Sequence, residues 1–307
     1  MKYIFGPVPS RRLGFSLGVD IIPYKTCSFD CLYCELGKTD CKTIESPEPI
    51  PADVVLKELG SVLASSPLTL DCITISGSGE PTLNPHLGLI IKEIKKMTPV
   101  PVALITNGSL LFKEDVLAGV LSADIIIPSL DASDPVTFQT VNRPHPSLSF
   151  EQLITGLTNL GQCRGPRIWL EVLFLRGIND SPGQLEAFRP FLEKINPEKI
   201  QLNTVVRPPV ERVAAPLSYA QLKDIQKAWG PRAEIISGAS RDSAQPAGSV
   251  VESEIRDMVA RRPCTAEDIA QCLGLSHEET VALLNGLIQD KKIMVELFDQ
   301  QGFYRGT

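Results

Sequence analysis

Short runs of β-branched and aliphatic residues alternate with longer amphipathic segments along most of the chain. The runs are LGVDII (17–22), CITIS (72–76), VALI (102–105), DIIIP (124–128), IWLEVLFL (168–175) and KIQLN (199–203). They are almost uniformly apolar, which predicts strands covered on both faces rather than half-exposed ones. Between them, ADVVLKELGSVLA (52–64), HLGLIIKEIKKM (86–97), FEQLITGLTNL (150–160) and QLEAFRPFLEKI (184–195) place apolar residues at three- and four-residue spacing, the pattern of helices with one buried face. Helix starts carry reciprocal capping chemistry: Ser149 with Gln152, Ser181 with Pro182 and Gln184, and Ser218 with Gln221. Six such alternations predict parallel βαβ units. The expected fold class is α/β, a partial TIM-type (β/α)6 barrel, with a doubly wound sheet as the alternative. At 307 residues and 43% hydrophobic content, the chain has room for a large core plus an appendage.

The unusual residues all follow the carboxyl ends of these runs. CSFDCLYC (27–34), GSGEPT (77–82), TNGS (106–109), SLDAS (129–133), RGIND (176–180) and NTVVRPP (203–209) would meet at one mouth, where barrels and open parallel sheets build their sites. Taken singly, TNGS and RGIND read equally well as ordinary turns.

Three cysteines within eight positions need a chemical reason. The N-terminus lacks a secretory signal, and no apolar run approaches the roughly 18 residues that cross a bilayer, so a cytoplasmic protein with reduced thiols is expected. A net charge of −6 argues against general adhesion to nucleic acid or anionic lipid. Structural zinc would want a fourth ligand, with Cys41 or Cys72 as the nearest candidates, and the histidines are only His86, His145 and His277. The CxxxCxxC spacing is unusual for zinc, and it stands at the expected mouth. A cubane iron-sulfur cluster held by three cysteines would keep one iron open to another ligand.

CSFDCLYC after the first strand, with GSGEP one βα unit later, resembles the radical S-adenosylmethionine superfamily over roughly residues 14–237. GPVPSRRLG, LGVDIIPYKTC, CELGKT, NRPHPSLSF and NTVVRPP are similar to a bacterial and archaeal iron-sulfur oxidoreductase group placed beside the tRNA wyosine-base synthases. The full motif set of those synthases is not present. The resemblance implies that Cys27, Cys31 and Cys34 ligate a 4Fe-4S cluster whose fourth iron chelates S-adenosylmethionine. It places Tyr33 near the adenine, Gly77, Gly79, Glu80 and Pro81 in the loop that receives the methionine amino group, and Asn107, Ser129 and Asp131 at the ribose and methionine carboxylate. The implied reaction is reductive cleavage of the cofactor, then hydrogen-atom abstraction from a substrate: an RNA nucleoside, a peptide or a metabolite. A small electron donor such as a flavodoxin or ferredoxin is implied as partner.

For substrate contacts the strand-end residues are the candidates: Arg143, Glu171, Asn203 and Arg207, with Arg176 and Asn179 beside them. Glu171 lies inside an apolar run, so it is either paired or functional facing inward, or exposed on an edge strand. His145 reads as a loop residue and His86 as a helix start. Cys72, Cys163, Cys264 and Cys272 read as core thiols.

Residues 1–237 are expected to form the barrel and GASRDSAQPAGS a linker at 238–249. Residues 250–307 would form a winged helix-turn-helix of three helices and a hairpin, with capping boxes Thr265/Asp268 and Ser276/Glu279. That segment has six basic and ten acidic residues, and its candidate recognition helix opens with SHEE, which disfavours DNA. Docking of a protein or peptide, or a lid on the barrel, is the expectation. Nucleic acid is not favoured as a partner, although Arg11, Arg12, Lys25 and Lys38 near the mouth keep tRNA open. The alternative function is a non-catalytic iron-sulfur or zinc sensor whose winged helix binds nucleic acid; the GSGEP loop favours the enzyme, since a sensor needs no such loop.

Overall fold

The computed structural model describes residues 2–45, 48–65, 69–236 and 252–307. The chain opens with β1 (Ile4–Ser10) and β2 (Gly14–Val19), followed by two short strands, β3 (Thr26–Cys27) and β4 (Cys41–Lys42), that bracket the cysteine segment. Then come α1 (Ala52–Ser65), β5 (Cys72–Ile75), a 3-10 turn at Pro81–Leu83, α2 (Leu87–Met97), β6 (Val102–Thr106), α3 (Glu114–Val120), β7 (Ile125–Pro128), α4 (Pro135–Val141) and α5 (Phe150–Gln162). β8 (Arg167–Phe174), α6 (Pro182–Ile195), β9 (Lys199–Thr204), α7 (Tyr219–Trp229) and β10 (Ala233–Ile235) complete the α/β part. The C-terminal segment holds α8 (Glu252–Arg261), α9 (Ala266–Leu273), α10 (His277–Gln289) and the hairpin β11 (Ile293–Phe298) and β12 (Gln301–Gly306).

One eight-stranded sheet runs in the order β1-β2-β5-β6-β7-β8-β9-β10, and only the β1/β2 pair is antiparallel. From β2 onward the spatial order is the chain order. A doubly wound sheet reverses direction at a switch point, and this one does not. All six expected strands are present, but the sheet has two more than the sixfold repeat predicts. β1, IFGPVPS, is interrupted by Gly and Pro, and β10 has only three residues, so neither carries a strand-like run. The boxes at Ser149, Ser181 and Ser218 all form.

Alternation along each strand gives the sheet two different faces. Leu17, Ile73, Leu104, Ile126, Leu170, Phe174 and Leu202 join the helices in the main core, where Phe174 packs edge-on against Phe188 and Trp229 at 6.1 and 5.6 Å. The opposite face has an apolar layer of Leu13, Cys72, Ala103, Ile125, Ile127 and Trp169. Ser16, Thr74, Glu171, Gln201 and Asn203, all buried, belong to the same face by alternation. In the turn between β1 and β2, Arg12 donates to Gln201 at 3.2 Å and pairs with Glu171, and Arg11 donates to Asn203 at 3.1 Å. Four strands separate β2 from β9, so these contacts require the sheet to curl into an open trough. The result is a partial barrel with a polar interior.

The C-terminal segment has its own small core, built on Ile255, Val259, Ile269, Leu284, Leu287 and Ile293. It is docked on the barrel: the Arg261 guanidinium lies over the Phe5 ring at 4.9 Å, and Phe298 packs against a cluster containing Leu32, Leu173 and Val205. The expected three helices and hairpin are present, with the boxes at Thr265 and Ser276 formed. The linker expected at 238–249 lies outside the described residues. No helix among the described residues is long and apolar enough to cross a membrane.

Candidate active site

The cysteine segment leaves the sheet at β3, whose Thr26 bridges to Gly79. It is pinned by backbone bonds to the turn after α4: Asp30 N donates to the Asn142 carbonyl at 3.0 Å, Leu32 N to Val141 at 2.9 Å, and His145 N to Ser28 at 2.8 Å. Two sulfurs have amide donors, Asn107 Nδ2 at 3.6 Å from Cys27 Sγ and Asn142 Nδ2 at 3.6 Å from Cys31 Sγ. Outer donors of this kind stabilise ligated thiolates. Burial pushes the Cys27 thiol up to about 12 and the Cys34 thiol to about 11, and it raises Cys31 well above the usual value. Thiols in such surroundings ionise only beside a strong positive charge, which a metal centre supplies. The soft, buried, amide-supported donor set fits an iron-sulfur cluster.

GSGEP lies directly on this segment. A Cβ on Gly79 would stand 1.8 Å from the Thr26 carbonyl oxygen, so only glycine permits the approach, and Glu80 N donates to that oxygen at 3.1 Å. Glu80 braces the loop. Its Oε1 accepts from Thr82 N at 3.0 Å and from the Thr82 and Thr106 hydroxyls, both at 2.6 Å, and its Oε2 accepts from Asn107 N at 2.7 Å. Oε2 keeps acceptor capacity for one more donor. Burial pushes the Glu80 carboxyl up, and these bonds oppose it. Pro81 opens the 3-10 turn. Beneath Gly77, Asp20 accepts from Ser78 N at 3.2 Å and Ser78 Oγ at 2.5 Å.

On the other side of the cysteines, Asp131 takes three internal donors: Tyr33 Oη at 2.5 Å, Asn142 Nδ2 at 2.9 Å and Leu173 N at 3.0 Å. Burial raises its carboxyl. The Tyr33 hydroxyl is therefore spent inside the protein, while its ring joins the cluster around Leu32 and Val141. Asn179 is wholly committed to structure, donating to the Asp131 and Leu173 carbonyls, both at 2.8 Å, and accepting from Leu175 N at 2.7 Å. Asn142 Oδ1 is buried with no hydrogen-bond partner among the described residues.

The structure thus gathers Cys27, Cys31, Cys34, Tyr33, Gly77, Gly79, Glu80, Pro81, Asn107 and Asp131 around one mouth. Ser129 sits one bridge away, paired with Glu171, which faces inward against Arg12 rather than outward on an edge. Arg207 reaches back to Glu35, the residue after Cys34, at 3.1 Å. Arg143 is drawn aside into a half-exposed pair with Glu211 at 2.8 Å, and Arg176 is exposed. His86 occupies the N-cap position of α2 without a side-chain capping bond, and His145 is a loop residue whose Nδ1 accepts from Ser147 N. Cys72 and Cys264 are buried, whereas Cys163 and Cys272 are only partly so. Asp20, Asn142 and Glu35 carry roles that no motif spacing signals.

Residues 21–186 match the Radical SAM superfamily. Over 310 residues the chain is 33% identical to a UPF0026 protein of Helicobacter pylori strain J99, covering 99% of this chain and 97% of that one. A UPF0026 protein of Methanocaldococcus jannaschii is 30% identical over 312 residues, 99% of this chain and 96% of its own length. A Brachyspira hyodysenteriae protein named GTPase Obg is 35% identical over 299 residues, 96% of this chain, but the chain spans only 44% of that protein. Among solved structures, Streptococcus suis SuiB bound to S-adenosylmethionine shares the fold, with a TM-score of 0.51 at 15% identity over 69% of this chain and 46% of that one. The chain belongs to the radical S-adenosylmethionine superfamily, whose proteins bind a 4Fe-4S cluster and S-adenosylmethionine.

Proposed function

We propose that this protein is a radical S-adenosylmethionine enzyme that abstracts a hydrogen atom from its substrate inside the trough. The observation that carries this reading is the seating of GSGEP on the cysteine segment, with Gly79 in contact range of the Thr26 carbonyl. Cys27, Cys31 and Cys34 would hold the cluster, and the backbone of Gly77 to Pro81 with Glu80 Oε2 would take the methionine amino group. When bound, the reduced cluster and S-adenosylmethionine supply a 5'-deoxyadenosyl radical by cleavage of the C5'-S bond. The chain's own residues do the rest. Asn107 and Asn142 hold the sulfurs' surroundings, the Asp131–Tyr33–Asn142 network fixes the far wall, and the apolar layer from Leu13 to Trp169 keeps water from the floor. Ser129 would line the ribose side.

We read residues 1–237 as the catalytic domain and 250–307 as a winged-helix-like domain that acts as a lid or protein-docking module. The contacts of Arg261 and Phe298 with the barrel support that role over DNA binding. A cytoplasmic location and a flavodoxin or ferredoxin as electron donor complete the proposal.

The test is release of 5'-deoxyadenosine from S-adenosylmethionine by anaerobically reconstituted protein. Dithionite-dependent release is expected from the wild type, with at least a hundredfold less from Cys31→Ala. Equal rates in the two proteins would end the reading, and zinc in place of iron would favour a sensor.

A further inference from the structure

We propose that Arg11 and Arg207 form a binding site for the carboxylate or phosphate group of a small anionic substrate, walled by Asp268 of the C-terminal segment. This deepens the radical S-adenosylmethionine reading and rests on it. The two arginines come from opposite ends of the barrel sequence. Arg11, in the β1–β2 turn, donates to the neutral amide oxygen of Asn203 at 3.1 Å, and no carboxylate among the described residues lies within the 4.0 Å of an ion pair. Arg207 donates through Nη1 to Glu35 at 3.1 Å, and its Nη2 stands 3.8 Å from Asp268, too far for a hydrogen bond. Its side chain is 11% exposed, and its buried Nε has no acceptor among the described residues.

Removing a guanidinium from water is costly unless its N–H groups are met, and the buried Arg207 Nε has no acceptor among the described residues although Glu35 pairs with the charge. Burial, then repulsion from Arg207, pulls the Arg11 guanidinium down to about 10, whereas Glu35 and Asp268 outweigh burial and raise Arg207. An oxyanion between them would satisfy both, since guanidinium forks match the paired oxygens of carboxylate and phosphate. The location suits a substrate. Backbone bonds from Val210 N to the Cys34 carbonyl at 3.1 Å and from Glu211 N to Leu32 at 3.2 Å lay the Arg207 loop along the cysteine segment. An anion held here would present the rest of its molecule to the mouth. Asp268, bound to Thr265 N at 3.2 Å in its capping box, faces Arg207 from the C-terminal side and competes with the ligand.

The experiment is calorimetric titration of the full-length protein with inorganic phosphate and, separately, with succinate. Saturable binding of at least one anion is expected, weakened about tenfold or more in Arg11→Gln and Arg207→Gln. Asp268→Asn should tighten it about threefold, a gain that misfolding cannot produce. Preference for phosphate or for succinate assigns the substrate's group. No binding, binding indifferent to both arginine variants, or no gain in Asp268→Asn overturns the proposal. If neither anion binds but both arginine variants weaken S-adenosylmethionine, the site belongs to the cofactor's carboxylate and the substrate assignment falls. Cofactor cleavage is read separately. Cleavage without anion binding removes this site alone; anion binding without cleavage removes the radical reading, and the substrate assignment with it.

Discussion

The two faces of the sheet are made by the same strands and obey different rules. On the helix side, Leu170, Val172 and Phe174 of β8 pack into a continuous apolar core, and any well-fitting hydrophobe of similar volume could serve there. On the trough side, Trp169, Glu171 and Leu173 of that strand meet respectively an apolar floor, an ion pair and the apolar cluster around Leu32 and Val205. One face holds the fold and the other holds the chemistry. The difference teaches that strand burial alone says nothing of a residue's role, because Glu171 and Leu170 are both buried.

Substitutions should separate the faces. Phe174→Ala, which deletes a ring wedged against Phe188 and Trp229, is expected to cost about 4 kcal/mol in denaturant unfolding while leaving iron content per folded molecule unchanged. A comparable loss of iron would show that the faces are not separable. Gly79→Ala forces a methyl against the Thr26 carbonyl and should cost about 3 kcal/mol together with cofactor binding. Full retention of S-adenosylmethionine affinity would deny the loop its proposed part. Glu171→Ala leaves Arg12 buried without its carboxylate, at about 2 kcal/mol, and Glu171→Gln should recover part of that. Ser149→Ala, at a helix start remote from the mouth, should cost about 1 kcal/mol and alter no cofactor property.

The smallest effect is a pH slope. Burial raises the Asp20 carboxyl, against hydrogen bonds from Ser78 and Ile22 and the charge of Arg261. A carboxyl raised on folding contributes stability that is complete below its unfolded value near about 4 and is lost as pH climbs through the folded value. Asp20→Asn does not titrate, so it should gain on the wild type as pH rises from about 4 through the raised folded value in paired unfolding curves. A constant difference would mean that Asp20 is not raised.

What could be read from the sequence was local, and what could not was distant. Each capping box joins residues three apart, and the doubly buried strands β2 and β5 to β9 announce themselves as apolar runs. β1 was hidden by Pro7 and Pro9 and β10 by its brevity. The cysteines and GSGEP were legible because glycine and thiol chemistry leave a dense local signature. Asp20 with Ser78, Asn142 with Cys31 and Arg11 with Asn203 were not, since 58, 111 and 192 residues separate the partners. Glu171 could be narrowed to two positions but not placed, because the order of strands in the sheet decides which is true.

The most direct test of the chemistry on the trough side is electron paramagnetic resonance of the anaerobically reconstituted, dithionite-reduced protein, with and without S-adenosylmethionine. The expected result is a reduced 4Fe-4S signal at one cluster per chain that changes shape when S-adenosylmethionine is added and is lost in Cys31→Ala. A signal indifferent to S-adenosylmethionine, or one that survives in Cys31→Ala, would contradict it.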